Sequence, residues 1–293
     1  MGSAGAAPVV SERFPYTHRT DFYCVPSGVT ELKVTAVGGA GATYHHTGTG
    51  GAPGIVVGTF PVVPGTELAI TVGQWGHESG GFGDGKGGRH GTSPGSSSYA
   101  SGAGGGGSTA VKATTSPCGS HSLADARYLV VAGGGGGGGG GSAGYKGGGG
   151  GFGIGGPGFK GEGSKNGLVA GDGGCGGRLP HIRGCTESIH GGDGTDAGEN
   201  GPVSGGGGGG GGGGYNGGGK GHGADYVFDG FNVGAGGGGG GGESYSAPTG
   251  KDVSKTAGKV GNYNGYVELS TVDAVTDPSG GSSDIVSGLF GSS

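Results

Sequence analysis

Charge, sulfur and long apolar runs are all scarce in this chain, and each scarcity removes a class of protein. Charged residues are 13% of the 293, with a formal net charge of −5. Disordered chains usually carry more charge than this. The six arginines are scattered and form no RGG repeat, which argues against a basic stripe for nucleic acid. Hydrophobic residues reach only 30%, less than a conventional globule holds. No apolar stretch approaches the ~18 residues that a membrane span needs. Ser3 to Pro8 has the small-residue character of a signal-peptide cleavage region without the basic and apolar segments that go before one. It reads either as the remnant of a secretion signal or as a small flexible N-terminus.

What replaces the missing side chains is glycine: 93 residues, concentrated in near-pure runs at 133–141, 147–151, 205–214 and 236–242. Glycine buries no side chain and loses the most backbone entropy on ordering. The runs are therefore either flexible linkers or extended polyproline-II-type strands packed so closely that only glycine fits. In collagen one face of each chain meets the crowded axis, so every third residue is glycine. A run that is glycine throughout implies crowding on every face. Runs of nine or ten residues would span roughly 28 to 31 Å at 3.1 Å per residue, so they could lie side by side as a small raft.

The segments outside the runs read as strands. Phe22 to Val25, Glu31 to Val37, Gly54 to Phe60, Leu68 to Val72, Thr109 to Thr114 and Tyr128 to Ala132 carry alternating or continuous apolar residues, separated by turn signals such as Pro26-Ser27-Gly28 and Pro64-Gly65. The Tyr128 strand runs directly into the first long glycine run, which suits a continuous ordered path better than a linker. A last strand lies near Gly265 to Val272. The expected organisation is a flexible N-terminus (1–20), the strands of an antiparallel β-sandwich (21–132), a polyglycine-II insertion (133–262), a returning strand (263–272) and a Ser/Gly-rich tail (273–293). The fold class is mostly β with a polyglycine-II bundle and few or no α-helices.

Four cysteines, Cys24, Cys118, Cys175 and Cys185, suit two disulfides, with three pairings open. Cys175 and Cys185 flank a short loop, which would leave Cys24 with Cys118. Zinc is the rival, because His181 and His190 lie near the second pair, but the spacing is not of the C-x2-C type. Disulfides would place the protein in an oxidising, extracellular setting.

Chemistry-bearing motifs are few. No strand-helix context accompanies the many chance G-x-G-x-x-G windows, and no P-loop sequence occurs. Gly91-Thr92-Ser93-Pro94-Gly95 matches a nucleophile elbow only formally, since loop surrounds it and Pro94 follows the serine. The nine histidines show no paired helical spacing and read as solvated loop residues. No catalytic or cofactor-binding residue is identified, and the expectation is a protein that is not an enzyme. Gly191 to Asp196 matches one copy of a calcium-binding β-roll repeat, so Asp193, Asp196 and Glu199 are calcium candidates against a plain acidic turn. Trp75, Tyr226, Phe228, Phe231 and Tyr245 lie in or beside insertions. They are candidates for recognition, although capping the ends of the bundle is the favoured role.

Several motifs occur in a family's order. Val25-Pro26 then Thr30, Val37-Gly38-Gly39-Ala40-Gly41, Gly58-Thr59-Phe60, Leu68-x-Ile70-x-Val72-Gly73-Gln74-x-Gly76 and Leu129-Val130-Val131-Ala132 before polyglycine resemble the glycine-rich extracellular region of the anaplastic lymphoma kinase and leukocyte tyrosine kinase receptors. The similarity spans roughly Phe22 to Val272. It implies a tumour-necrosis-factor-like sandwich interrupted by a polyglycine-II bundle, as in related modules of secreted bacterial and phage tail proteins. Receptor signalling does not carry over, because no kinase domain or membrane span is present in this sequence. The expected function is a non-enzymatic extracellular scaffold, secreted or surface-associated, that presents loops to a cell-surface or extracellular protein or glycan. The alternatives are a phage tail or fibre adhesin and an ice-binding protein, the latter disfavoured because no regular Thr, Ser or Ala spacing lines the glycine runs.

Overall fold

The computed structural model describes residues 11–93, 101–141, 144–162, 174–177, 188–197, 205–224 and 234–272. These contain no helix and ten strands: β1 (Ser11–Pro15), β2 (Thr20–Cys24), β3 (Glu31–Val37), β4 (Gly54–Pro61), β5 (Thr66–Thr71), β6 (Thr109–Pro117), β7 (Arg127–Ala132), β8 (Tyr245–Ser246), β9 (Lys251–Ala257) and β10 (Tyr266–Thr271). They form two five-stranded sheets, in the orders β1-β10-β3-β4-β9 and β2-β5-β6-β7-β8, and every pairing is antiparallel.

Alternation explains the sandwich. Leu32, Val34 and Ala36 of β3 point one way and are fully buried, and so do Val56 and Phe60 of β4 and Val267 and Leu269 of β10. They meet Leu68, Ile70, Val111 and Val130 of the other sheet in one core. Three strands escape sequence reading. β1, placed within the flexible N-terminus, buries only Phe14 yet pairs along its length with β10. β8 and β9 fall inside the segment expected to be glycine bundle. β9, Lys-Asp-Val-Ser-Lys-Thr-Ala, is mostly exposed. It is an edge strand, and its lysines suit an edge that must not pair further.

The glycine runs are ordered continuations of these strands. Segment 133–141 follows β7 and segment 38–42 follows β3, while 101–107 leads into β6 and 236–242 leads towards β8. Within 133–141 the hydrogen bonds repeat every third residue. The amides of Gly134, Gly137 and Gly140 donate to the carbonyls of Gly213, Gly210 and Gly207; those of Gly135 and Gly138 to Gly39 and Ala42; those of Gly136 and Gly139 to Gly151 and Gly148, all at 2.8 to 3.3 Å. Its carbonyls accept with the same period from Gly242, Gly239 and Gly236, from Gly106 and Ala103, and from Gly54, Gly51 and Gly48. Three residues per turn is the repeat of a polyproline-II-type helix, which has no internal hydrogen bonds and must find all its partners outside. The run thus sits among six neighbours, three that it donates to and three that it accepts from.

Segments 205–214 and 236–242 are surrounded in the same way. The first donates to 234–240, 189–195 and 103–106 and accepts from 218–224, 88–91 and 134–140. The second donates to 134–140, 219–222 and 156–159 and accepts from 209–212, 148–155 and 174–177. Glycine is required here by space. A Cβ on Gly137 would lie 1.9 Å from the Ala103 carbonyl oxygen, and one on Gly239 would lie 2.1 Å from that of Gly210. Real Cβ atoms do not approach so closely, and a hydrogen-bonded carbonyl has nowhere to go.

Buried hydroxyls mark the seam where sheet becomes bundle. Thr109, at the start of β6, accepts the Gly73 amide and donates to the Val37 carbonyl. Ser244 accepts the Gly133 amide and donates to the Gly153 carbonyl. Ser108 accepts the Gly85 amide. Each stands where one backbone pattern ends before the other supplies a partner.

Candidate functional site

Three of the places in the described residues that gather side chains outside the sandwich core lie in or beside the bundle. One is a half-open cavity of about 410 Å³ among the turns of the bundle, lined by Tyr44, His45, His46, Thr47, Glu78, His90, Ser101 and Gly102. The turn 44–47 is set by the Thr47 hydroxyl, which accepts the Tyr44 amide, and by the Thr47 amide donating to the Tyr44 carbonyl. The Gly141 amide ties this turn to the first glycine run through the His46 carbonyl. Glu78 lies in the turn closed by the Gly80 amide on His77, and its carbonyl accepts the His90 amide at 3.1 Å.

The electrostatics of this cavity follow from partial burial. Burial lowers the pKa of His90, partly opposed by the Glu78 carboxylate, so the ring favours its neutral form. Its Nδ1 is buried and has no hydrogen-bond partner. Burial, and secondarily the Glu78 charge, raises the Tyr44 pKa, so its hydroxyl remains a proton donor.

The second place is a tyrosine stack beside β7 and β8. Tyr215 lies flat on Tyr245, with ring centroids 4.2 Å apart and 12° between planes, and meets Tyr128 edge-on at 5.9 Å. Lys112 Nζ lies 4.6 Å from the Tyr128 ring centre and 2.5 Å from Asp84 Oδ1, while Tyr128 donates its hydroxyl to Asp84 Oδ2 at 2.6 Å. Burial and this carboxylate push the Tyr128 pKa up strongly. Asn216 donates to Glu243 beside the stack. These contacts lie at the seam between sheet and bundle.

The third is an edge of the bundle where side chains take the place of a strand. The amides of Lys86, Arg89 and Thr92 donate to His190 Nδ1, Asp193 Oδ1 and Asp196 Oδ1 at 3.0, 2.8 and 2.7 Å. Both rows advance by three residues, one turn of each extended strand. In return the Lys86, Arg89 and Thr92 carbonyls accept the Gly191, Gly194 and Ala197 amides. Asp196 also accepts the Thr92 hydroxyl, and hydrogen bonds from the Thr92 amide and hydroxyl hold its pKa below the usual range.

The calcium candidates are thus placed differently from a shared ion cage. Asp193 and Asp196 each cap an amide, and three residues of such a strand set them about 9 Å apart along its axis. Ligands of one calcium ion lie within 2.3 to 2.6 Å of it. Glu199 falls outside the described residues. Among those residues, no three His, Cys, Asp or Glu groups gather so as to hold a metal ion. Cys24 and Cys118 are joined in a disulfide, with Cα atoms 5.3 Å apart. Cys175 is also disulfide-bonded, and Cys185 lies outside the described residues.

Of the aromatic candidates, Tyr245 joins the stack. Trp75 is half-buried, its amide held by Asn264 Oδ1 and its ring edge-on to His77 at 6.4 Å. Tyr226, Phe228 and Phe231 lie outside the described residues. Sequence reading missed Tyr215, though it ends one glycine run as Tyr245 follows another. It also reads His45, His46 and His90 as solvated loop residues and gives no reading of Tyr44 and Glu78, whose loops carry no periodic signal. Compared with known proteins, the chain matches no family model, and no curated protein is significantly similar to it. No helix among the described residues is long and apolar enough to cross a membrane.

Proposed function

We propose that this protein is a non-enzymatic extracellular scaffold, a stiff sandwich-and-bundle body that holds binding loops in fixed positions. The observation that carries this reading is the set of three central glycine runs, each bonded to six neighbouring segments. An extended strand held on all sides cannot bend locally without breaking several hydrogen bonds, so the turns it carries keep their relative placement. The Cys24–Cys118 disulfide suits an oxidising compartment.

The test is amide hydrogen exchange. In a rigid scaffold the amides of 134–140, 206–213 and 236–242 exchange many orders of magnitude more slowly than an unstructured chain. Exchange at random-coil rates would overturn the reading.

A further inference from the structure

We propose that the cavity between Tyr44, Glu78 and His90 is a binding site for a neutral, hydroxyl-rich ligand, a hexose or a short oligosaccharide. The inference deepens the scaffold reading and rests on it, because the cavity walls are turns whose spacing the bundle fixes.

The cavity, at about 410 Å³, falls in the lower part of the range for small-molecule sites. Its polar groups are matched to hydroxyls. Glu78 offers carboxylate acceptors, Tyr44 a hydroxyl donor and Ser101 a hydroxyl of either kind, and the Tyr44 ring adds an aromatic wall. His90 also lines the cavity, and an imidazole nitrogen can donate to a ligand hydroxyl or accept from it according to the tautomer.

Other ligand classes fit less well. An anion would meet the Glu78 carboxylate. A metal ion would find no three convergent ligands among the described residues. An apolar ligand would leave the imidazoles, carboxylate and hydroxyls stripped of water without replacement. A neutral polyol satisfies each of these groups without bringing a charge.

The test is saturation-transfer-difference NMR on the full chain with the methyl glycosides of glucose, galactose, mannose and N-acetylglucosamine, followed by titration of those that respond. At least one is expected to bind, with affinity falling roughly tenfold in Glu78→Gln, the factor for losing a hydrogen bond to a charged group. Tyr44→Phe, which removes one hydroxyl and keeps the ring, is expected to weaken it by a smaller factor. Tyr215→Ala, distant in the tyrosine stack, is expected to leave it unchanged. Amide exchange in 206–213, measured on each variant, reports separately on the scaffold. Protected amides with no response from any glycoside would overturn the sugar site while leaving the scaffold intact. Binding that Tyr215→Ala abolishes and Glu78→Gln spares would overturn its location. Binding of zinc or inorganic phosphate that Glu78→Gln abolishes, with no glycoside response, would overturn its chemistry.

Discussion

The Thr109 hydroxyl donates to the Val37 carbonyl at 2.6 Å, and it also accepts the Gly73 amide at 2.8 Å. Thr109 is fully buried and joins three chain segments at the point where β3, β5 and β6 leave the sandwich. Thr109→Val keeps the shape and removes both bonds, stranding a buried amide and a buried carbonyl. Each such group costs about 1 to 3 kcal/mol. The variant is expected to lose roughly 2 to 4 kcal/mol, read as a lower urea midpoint at unchanged slope. A midpoint within error of the parent would show that the seam does not depend on this hydroxyl.

Two adjacent glycines separate crowding from mere composition. A Cβ on Gly150 would lie 1.9 Å from the Gly136 carbonyl oxygen, whereas one on Gly149 would meet the Phe159 side chain and the Thr49 carbonyl at an ordinary 3.4 Å. Gly150→Ala is expected to cost at least about 3 kcal/mol, and Gly149→Ala to stay within about 1 kcal/mol of the parent. Thermal melts of the two variants provide the comparison. Equal effects would mean that the runs are not packed as described.

This contrast also shows what sequence reading could reach. Alternation of Leu32, Val34 and Ala36, or of Leu68 and Ile70, announces a half-buried strand, because a period of two has one structural meaning. The absence of side chains in the runs fits a flexible linker as well as a crowded strand, and the Tyr128 strand running directly into the first run is what favours order. β9 stayed hidden because an exposed edge strand has no buried face to imprint alternation on its residues. The cavity stayed hidden because Tyr44, Glu78 and His90 come from separate turns, and only the hydrogen-bond register of the bundle brings those turns together. The edge ladder was visible as the spacing His190, Asp193, Asp196, but a three-residue period is informative only once the strand is known to make three residues per turn.

Glu67 makes acid stability a test of the loop after β6. Its buried carboxylate accepts the Gly119 amide at 2.6 Å, the His121 amide at 2.8 Å and the Ser120 hydroxyl at 3.2 Å. Desolvation pushes its pKa up, but these hydrogen bonds outweigh it and the net shift is downward. A carboxyl group whose folded pKa is depressed stabilises the fold fully above its unfolded pKa, roughly 4.3, and loses that contribution as pH falls through the folded value. The parent is therefore expected to lose stability more steeply below about pH 4.5 than Glu67→Gln, while the variant is less stable at neutral pH. Parallel stability profiles for the two proteins would contradict this assignment.

The Cys24–Cys118 disulfide spans 94 residues of sequence and joins the end of β2 to the residue that follows β6. Cross-linking a loop of that length restricts the unfolded chain substantially, and such bonds typically contribute about 2 to 4 kcal/mol. Cys24→Ala combined with Cys118→Ala is expected to lower stability by this amount while the far-ultraviolet circular dichroism spectrum of the native state keeps its shape. Unchanged stability would mean that strand pairing through β5 already confines these ends.

The bundle edge at Arg89 and Asp193 tests whether a side chain can stand in for a strand. If the Asp193 carboxylate is what protects the Arg89 amide, Asp193→Ala should expose that amide to water and raise its exchange rate. Asp193→Asn retains a carbonyl oxygen in the same place and should largely preserve protection, because the required group is an acceptor rather than a charge. The Gly88 and Gly91 amides, which donate to Gly211 and Gly208 in the central run, should stay slow in both variants, confining the effect to the outward row. Loss of protection at Gly88 and Gly91 as well would instead show that the edge ladder holds the outer strand to the bundle.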